Sequence, residues 1–214
     1  MKVGIVNVTG YSGMELVRIL SNHPEAVVTT VTGRSEVGKK LRDVFPHLAH
    51  TDLVIASEIG ESVDVVFSAL PQVASAESVV PLVRAGAKVI DISADFRLKN
   101  ADEYQLWYGS PHPAPDLLQV AVYGLTELYR DGVMSAHLVA NPGCYPTGAL
   151  LALAPLFKGE MIEPDVIIDS KSGVSGSGRG LSMSTHFSEV NENPFAYGVG
   201  NHRHLPEIRQ GLQL

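Results

Sequence analysis

The chain has 214 residues, of which 45% are hydrophobic and 18% are charged, and its net charge at neutral pH is −7. This composition is typical of an ordinary soluble globular protein with one large domain or two small ones. The negative charge argues against nucleic-acid binding through a basic face, and no apolar run is long enough to span a bilayer. A single cysteine excludes an internal disulfide and a Cys-x-x-Cys metal site. No signal peptide follows Met1, so we expect a cytoplasmic protein.

An apolar strand, a glycine-rich turn and a helix open the chain. Residues 2–6 predict a buried strand and residues 14–20 have helical periodicity. Such a turn lets the backbone approach a pyrophosphate, while the helix N terminus supplies N–H donors. The spacing is G-x-x-G-x-x-G with Asn7 at the first position, and asparagine tolerates a left-handed backbone there. A tight turn without a ligand is the alternative interpretation. The predicted cofactor ligands in the turn are Thr9, Gly10, Tyr11, Ser12 and Gly13.

The residues after the second predicted strand bear on the choice of dinucleotide. Residues 27–32 are rich in β-branched side chains, which predicts a strand, and Arg34 and Ser35 follow shortly after it. In a Rossmann unit an acidic residue at this place binds the ribose 2′-hydroxyl, whereas an arginine accommodates a 2′-phosphate. Arg34 and Ser35 therefore favour NADP(H) over NAD(H). An arginine in a solvated loop with no ligand would leave the same pattern.

Alternating strands and helices predict an α/β fold with a Rossmann-type, doubly wound parallel sheet. Ligands of such sheets bind beyond the carboxyl ends of the strands, so Ser68, Leu70 and Pro71 are predicted cofactor ligands. Residues 98–120 are expected to form a surface excursion, either a lid or a long connection. The other elements predicted in this part are strands at residues 53–55, 63–70 and 88–93 and a helix at residues 73–85.

The single cysteine stands on a predicted strand-to-helix turn. Cys144 follows an apolar run at residues 138–140 and precedes a helix predicted at residues 148–156. A thiol there faces the unpaired N–H groups and the positive dipole end of the helix, which favours the thiolate. The same N–H groups can hold the oxyanion that forms when a thiolate attacks a carbonyl. A small buried apolar cysteine is the alternative interpretation.

A glycine-rich loop and two histidines follow. Residues 165–171 predict a strand, and the loop at residues 172–180 is rich in backbone donors that suit a phosphate or a nicotinamide. A disordered polar loop has the same composition. The candidate cofactor ligands in the loop are Ser175, Gly176 and Gly178.

His202 and His204 are predicted to lie on one side of an extended segment, ahead of a helix that begins near Pro206. With Cys144 they allow two chemistries. One imidazole can take the thiol proton and later return a proton to a leaving oxygen. Alternatively, the three side chains bind zinc, which is disfavoured because no further cysteine or carboxylate pattern completes the site. Two exposed loop histidines without a role are the third interpretation.

Six ordered motifs span the chain: TGYSGMEL (9–16), DISADFR (91–97), VYGL (122–125), NPGCYPT (141–147), SGVSGSGR (172–179) and HRHLPEI (202–208). Together they are far more specific than any one of them. On these motifs the chain resembles N-acetyl-γ-glutamyl-phosphate reductase of arginine biosynthesis over essentially its whole length.

The resemblance implies NADPH-dependent reduction of an acyl phosphate, N-acetyl-L-glutamyl 5-phosphate, to the semialdehyde and phosphate. It makes Cys144 the nucleophile that displaces phosphate and forms a thioester, which hydride converts to a thiohemiacetal. A histidine of the HRH motif serves as acid and base; His202 is favoured, but the sequence does not separate it from His204. Guanidinium forks match carboxylate and phosphate. The candidate substrate ligands are Arg97, Asn141, Arg179 and Arg203.

The resemblance also implies an NADP-binding Rossmann domain at residues 1–143 and the start of an α+β catalytic and dimerisation domain at residues 144–214. Members of the family continue well beyond the HRH motif, so the second domain is expected to be incomplete here. The full-length protein is expected to be a homo-oligomer, a dimer or a tetramer. Its expected partner is a small-molecule acyl phosphate, with no resident metal, nucleic acid or membrane.

Four alternatives remain. A reductase of lysine biosynthesis that acts on a carrier-protein-bound aminoadipyl phosphate shares the chemistry, but an acidic carrier protein needs a basic entrance, which the net charge of −7 does not favour. Aspartate-semialdehyde dehydrogenase matches residues 141–147 less well. A nucleotide-binding module without catalysis and a zinc-dependent hydrolase belong to other functional classes.

Overall fold

A computed structural model describes residues 1–60 and 63–213. Within those residues, seven strands form one sheet in the spatial order β3-β2-β1-β4-β5-β7-β6. The strands are β1 (Lys2–Val6), β2 (Val27–Thr32), β3 (Ile55–Ala56), β4 (Val65–Ser68), β5 (Lys88–Asp91), β6 (Val122–Tyr123) and β7 (Leu138–Ala140). The helices are α1 (Tyr11–Leu20), α2 (Leu41–Val44), α3 (Ala74–Arg84), α4 (Ala101–Tyr108), α5 (Pro115–Val120), α6 (Thr126–Ser135), α7 (Cys144–Lys158), α8 (Phe187–Val190) and α9 (Leu205–Leu212). Single 3₁₀ turns occur at Pro46–Leu48, Val174–Ser177 and Met183–Thr185.

The pairing of the strands confirms the predicted Rossmann-type sheet. All the paired strands of the sheet run parallel, and β1 lies between β2 and β4. The strand order therefore reverses between β1 and β4, where Val6 pairs with Ser68. In sheets of this kind, the crevice at the carboxyl ends of the strands at such a reversal is where ligands bind.

Three hydrophobic clusters hold the elements together. Val3 and Ile5 of β1 and Val31 of β2 are fully buried and pack with Val17 of α1. A second cluster joins β4, β5 and β7 to α3 and α5. The third cluster packs α7 against α9, with Leu150 fully buried beside the helix that follows the HRH motif. This last contact determines where the histidines lie relative to Cys144.

The predicted surface excursion at residues 98–120 is wrong. Most of the segment is helical, in α4 and α5, and Leu98, Tyr104 and Leu118 are fully buried. Lys99 Nζ donates to the carbonyl oxygens of Leu118 and Ala121, which closes the C terminus of α5. These short helices bury only a few apolar side chains each, so their periodicity is weak in the sequence.

The strand predicted at residues 165–171 is also wrong. No strand forms there in the part of the chain that the structure describes, and Ile167 is 99% exposed. A strand depends on a hydrogen-bonded neighbour, so β-branched residues alone do not make one.

No helix among the described residues is long and apolar enough to cross a bilayer.

Candidate active site

The turn between β1 and α1 adopts the shape that the sequence predicts. Asn7 has a φ of 63°, so the prediction of a left-handed asparagine at the first glycine position is confirmed. Its Nδ2 donates to Ala69 O at 2.8 Å. The asparagine therefore ties the turn after β1 to the loop after β4, across the crevice at the carboxyl ends of these strands.

The first turn of α1 suits a pyrophosphate. The helix begins at Tyr11, three residues earlier than predicted, and Gly10 at its N-cap offers no side-chain cap. The first N–H groups of a helix have no intrahelical acceptor, so they are available to an anion. A Cβ on Gly13 would lie 2.5 Å from Asn7 O and 2.6 Å from Val8 Cα, so only glycine lets the helix pack this close to the turn.

The other predicted cofactor ligands lie in loops with one exception. Arg34 and Ser35 are exposed after β2, and Leu70 and Pro71 follow β4. Ser68 is fully buried instead, and its Oγ lies 2.7 Å from Ser75 Oγ, so its hydroxyl faces the protein interior. The donor-rich loop forms an exposed turn that contains Ser175, Gly176 and Gly178, and Gly178 has a φ of 78°.

Two buried aspartates that the sequence analysis did not single out support the loop after β4. Asp95 accepts hydrogen bonds from the N–H groups of Val73 (2.9 Å) and Ala76 (2.8 Å) and from Tyr104 OH (2.7 Å). It thereby holds Val73 at a φ of 69°, an unfavourable backbone for a β-branched residue. Burial raises the pKa of Asp91, which accepts from Ser75 and Ser93, to about 6. Both aspartates belong to the DISADFR motif, so the sequence contained a signal that could have identified them.

Cys144 is the first residue of α7, so this helix begins four residues earlier than predicted. The thiol is exposed. This position is inconsistent with a small buried apolar cysteine and places the thiol at the N-terminal end of a helix of 15 residues. Gly143, the N-cap residue, has no side chain to compete for the N–H groups of the first turn.

His204 packs directly against the residue before the cysteine. A Cβ on Gly143 would lie only 2.8 Å from both Cε1 and Nε2 of the His204 ring. The rings of His202 and His204 are 4.8 Å apart, and the Tyr145 ring contacts both edge-on. The segment is a turn rather than the predicted extended segment, because His204 has helical dihedral angles and serves as the N-cap of α9.

Both imidazoles have lowered pKa values, and they differ in their hydrogen bonding. Burial lowers the pKa of His204 to about 4, with further contributions from the charges of Arg97, His202 and Arg203. Burial and Arg203 also lower the pKa of His202. His202 Nδ1 accepts the His204 backbone N–H at 3.1 Å, so in neutral His202 the proton resides on Nε2. Among the described residues, buried Nδ1 of His204 has no hydrogen-bond partner.

Arg97 is buried beside this turn. Its Nε donates to Asn141 O at 2.8 Å and its Nη2 donates to Ile92 O at 2.7 Å. The third nitrogen, Nη1, is 3.4 Å from a Glu207 carboxylate oxygen, the longest of the three contacts, and lies 2.9 Å from the position of a Cβ on Gly143. Nη1 therefore pairs with Glu207 and also faces the Cys144 turn.

Glu207 is a site residue that the sequence analysis missed. Its carboxylate is 1% exposed and accepts hydrogen bonds from Gly143 N–H at 2.9 Å and from Tyr123 OH at 2.6 Å. Helix α9 is held in place by Gln210, which bonds to the backbone of Lys99 and of Arg97. The sequence signal was its place in the HRHLPEI motif, between two apolar residues, Pro206 and Ile208, both of which are buried.

We expect Glu207→Gln to lower the free energy of unfolding by about 2–4 kcal/mol, because it leaves the buried Arg97 without its counter-charge. Urea denaturation measures the change. Glu77→Gln, at an exposed position of α3, is the matched control and is expected to change stability by less than about 0.5 kcal/mol. Equal effects of the two substitutions would contradict a structural role for the ion pair.

The remaining two arginines contact different loops. Arg203 Nη1 donates to Gln72 Oε1 at 2.8 Å, which joins the HRH motif to the loop after β4. Arg179 Nη1 donates to Thr9 O at 2.8 Å, so this arginine reaches the β1–α1 turn. Among residues 1–60 and 63–213, no group of three or more His, Cys, Asp or Glu side chains is placed to hold a metal ion.

Comparison with known proteins gives two family matches. Residues 2–136 match the profile "Semialdehyde dehydrogenase, NAD binding domain", and residues 144–214 match "Semialdehyde dehydrogenase, dimerisation domain". The chain is 56% identical over 211 residues to an N-acetyl-γ-glutamyl-phosphate reductase of Dehalococcoides mccartyi, covering 99% of the chain and 62% of that protein. It is 52% identical to the protein of the same name from Pelotomaculum thermopropionicum, covering 99% of the chain and 63% of that protein.

The chain thus spans somewhat over three fifths of the length of these relatives. Among solved structures, it is similar to aspartate semialdehyde dehydrogenase II from Vibrio cholerae, with a TM-score of 0.55, 18% identity, and coverage of 73% of this chain and 46% of that one. The aspartate semialdehyde dehydrogenase from Candida albicans gives a TM-score of 0.54 at 19% identity, covering 75% and 48% of the two chains. At this identity the likeness supports the fold alone.

Proposed function

Since the chain belongs to the semialdehyde dehydrogenase family, we propose that the whole protein is an NADPH-dependent N-acetyl-γ-glutamyl-phosphate reductase. The observation that carries the proposal is the position of Cys144, exposed at the start of α7, with a neutral imidazole against the preceding residue. The relatives with 52% and 56% identity that bear this name support the choice of acyl phosphate.

In the proposed reaction the Cys144 sulfur attacks the carbonyl carbon of the acyl phosphate. A C–S bond forms, the bond from carbon to the phosphate oxygen breaks, and phosphate leaves. When bound, NADPH supplies the hydride that reduces the resulting thioester. The thiohemiacetal on Cys144 then collapses, releasing the semialdehyde and restoring the thiol.

We assign the base to His204, although the sequence favours His202. A neutral imidazole is needed to accept the thiol proton, and the His204 ring lies against Gly143, the residue that precedes Cys144. Burial keeps this ring neutral, although the same lowered pKa makes it a weaker base than a free imidazole. The lone pair on His202 Nδ1 is taken by the His204 N–H, so its Nε2–H is suited to donate a hydrogen bond to the substrate rather than to accept a proton.

The oxyanion and the phosphate have separate candidate partners. The N–H groups of Cys144 and Tyr145 lie in the first turn of α7, where helix N–H groups lack intrahelical acceptors and can stabilise an oxyanion. Arg97 is proposed to bind the substrate through Nη1, the nitrogen that faces the Cys144 turn. Asn141 precedes the Cys144 turn and Arg203 is the middle residue of the HRH motif. Both remain proposed substrate ligands.

We propose NADP(H) as the cofactor, and the β1–α1 turn fits its pyrophosphate because of the free N–H groups and the close approach at Gly13. Arg34 and Ser35 are the proposed ligands of the 2′-phosphate. Leu70 and Pro71 lie at the carboxyl edge of the sheet and Ser175, Gly176 and Gly178 in the exposed loop, and all five are proposed cofactor contacts. The dimerisation-domain match supports a homo-oligomer as the state of the whole protein.

The test follows NADP⁺ reduction by NADPH absorbance, with N-acetyl-glutamate semialdehyde and phosphate as substrates. We expect phosphate-dependent turnover, and a larger loss of kcat in His204→Asn than in His202→Asn. A folded protein that binds NADP⁺ but shows no turnover with this aldehyde would contradict the proposed substrate. The reverse ranking of the two histidine variants would contradict only the assignment of the base.

A further inference from the structure

Arg179 connects the second part of the chain to the predicted adenosine end of the cofactor site. Its Nη1 donates to Thr9 O at 2.8 Å, and its guanidinium carbon lies 5.0 Å from the centre of the Phe45 ring. The Phe45 side chain is only 6% exposed, so this ring is a fixed platform. Two independent contacts therefore hold the guanidinium in place, although the loop that carries it is exposed.

Arg34 belongs to the same neighbourhood. It follows Gly33, and a Cβ on Gly33 would lie 3.1 Å from Thr9 Cγ2, so the end of β2 contacts the residue whose carbonyl oxygen Arg179 binds. Thr9 therefore contacts Arg179 directly and also lies against Gly33, the residue before Arg34.

Three cations in the segment that follows β2 already have counter-charges. Lys39 pairs with Glu36 at 2.6 Å, and both Lys40 (3.4 Å) and Arg42 (2.9 Å) pair with Asp52. Within residues 1–60 and 63–213, neither Arg34 nor Arg179 forms an ion pair with a carboxylate. Their charges remain available to a dianionic group. Of the five N–H donors of the Arg179 guanidinium, one donates to Thr9 O.

We propose that Arg179 is a second ligand of the 2′-phosphate of NADP(H), so that Arg34 and Arg179 together select NADP(H) against NAD(H). This inference rests on the proposed cofactor. It moves Arg179 from the predicted substrate ligands to the cofactor ligands. It also makes dinucleotide selectivity depend on a residue from outside the part of the chain that matches the NAD binding domain, residues 2–136.

The experiment is calorimetric titration of the purified protein with NADP⁺, NAD⁺, adenosine 2′,5′-bisphosphate and AMP. We expect Arg179→Gln to weaken binding of NADP⁺ and of the bisphosphate by roughly 10-fold or more, and binding of NAD⁺ and AMP by less than about 2-fold. Arg179→Lys retains the charge without the fork and is expected to lose an intermediate amount. Arg130→Gln, at an exposed position of α6, is the control and should leave all four affinities unchanged.

The outcomes separate this inference from the proposal on which it rests. If the unaltered protein fails to prefer NADP⁺ over NAD⁺, the proposed cofactor is wrong and the role of Arg179 falls with it. If that preference is present and survives in both Arg179 variants, only the inference about Arg179 is overturned. An equal loss for NADP⁺ and NAD⁺ also overturns it, because the arginine then acts on the shared part of the dinucleotide.

Discussion

Replacing Cys144 with serine is expected to lower kcat by about 10³-fold or more, because the nucleophile acts as a unit with its base and its loss is not compensated. The hydroxyl is a far weaker nucleophile than a thiolate at neutral pH. The exposed side chain makes few packing contacts, so the fold and the affinity for NADP⁺ should not change. The measurement combines the phosphate-dependent assay with calorimetric titration of NADP⁺.

Two further observations make the Cys144→Ser result interpretable. Cys144 is the one cysteine of these 214 residues, so alkylation by iodoacetamide that peptide mass spectrometry locates at this residue should abolish activity in parallel with the substitution. Substantial turnover in Cys144→Ser, or full activity after complete alkylation, would contradict a thioester mechanism. Loss of NADP⁺ binding in the variant would show instead that the substitution disturbed the structure.

The second large effect is expected for Gly143→Ala, which should lower kcat by roughly 100-fold. The added Cβ would lie 2.8 Å from the His204 ring and 2.9 Å from Arg97 Nη1, both closer than ordinary contacts allow. Backbone strain is not the reason, since Gly143 has a φ of −66°, which any residue adopts. The methyl group instead displaces the imidazole, and displacement of a reacting group by about 1 Å is enough for such a loss.

Gly148→Ala is the matched control on the same helix. A Cβ there meets no atom within 4 Å, and alanine is favoured over glycine in a helix by about 0.5–1 kcal/mol. We therefore expect unchanged kcat and slightly higher stability for Gly148→Ala, and lower stability by about 1–3 kcal/mol for Gly143→Ala. Affinity for NADP⁺ should be unaffected in both. An unchanged kcat in Gly143→Ala would contradict the proposed packing of His204 on the cysteine turn.

Elements whose signals are local could be predicted from the amino-acid sequence. The buried strand at residues 2–6, the β-branched strand at residues 27–32 and the left-handed Asn7 match the structure, because each follows from the chemistry of a few adjacent residues. The position of Cys144 at a strand-to-helix turn came from the same kind of signal. The six motifs, taken in order, indicated N-acetyl-γ-glutamyl-phosphate reductase, the name that relatives with 56% and 52% identity bear.

Contacts between distant parts of the chain could not be predicted in this way. Glu207 meets the N–H of Gly143 across 64 residues, and Arg179 meets Thr9 across 170, and no periodicity in the sequence records either pair. Ser68 was predicted to face the cofactor, but a strand end has two faces. Its hydroxyl bonds to Ser75, which in turn donates to Asp91, and this buried network selected the inner face. Residues 165–171 have the composition of a strand but lack a partner among the described residues. In each case the outcome depends on which surfaces meet, and that is decided by packing rather than by local preference.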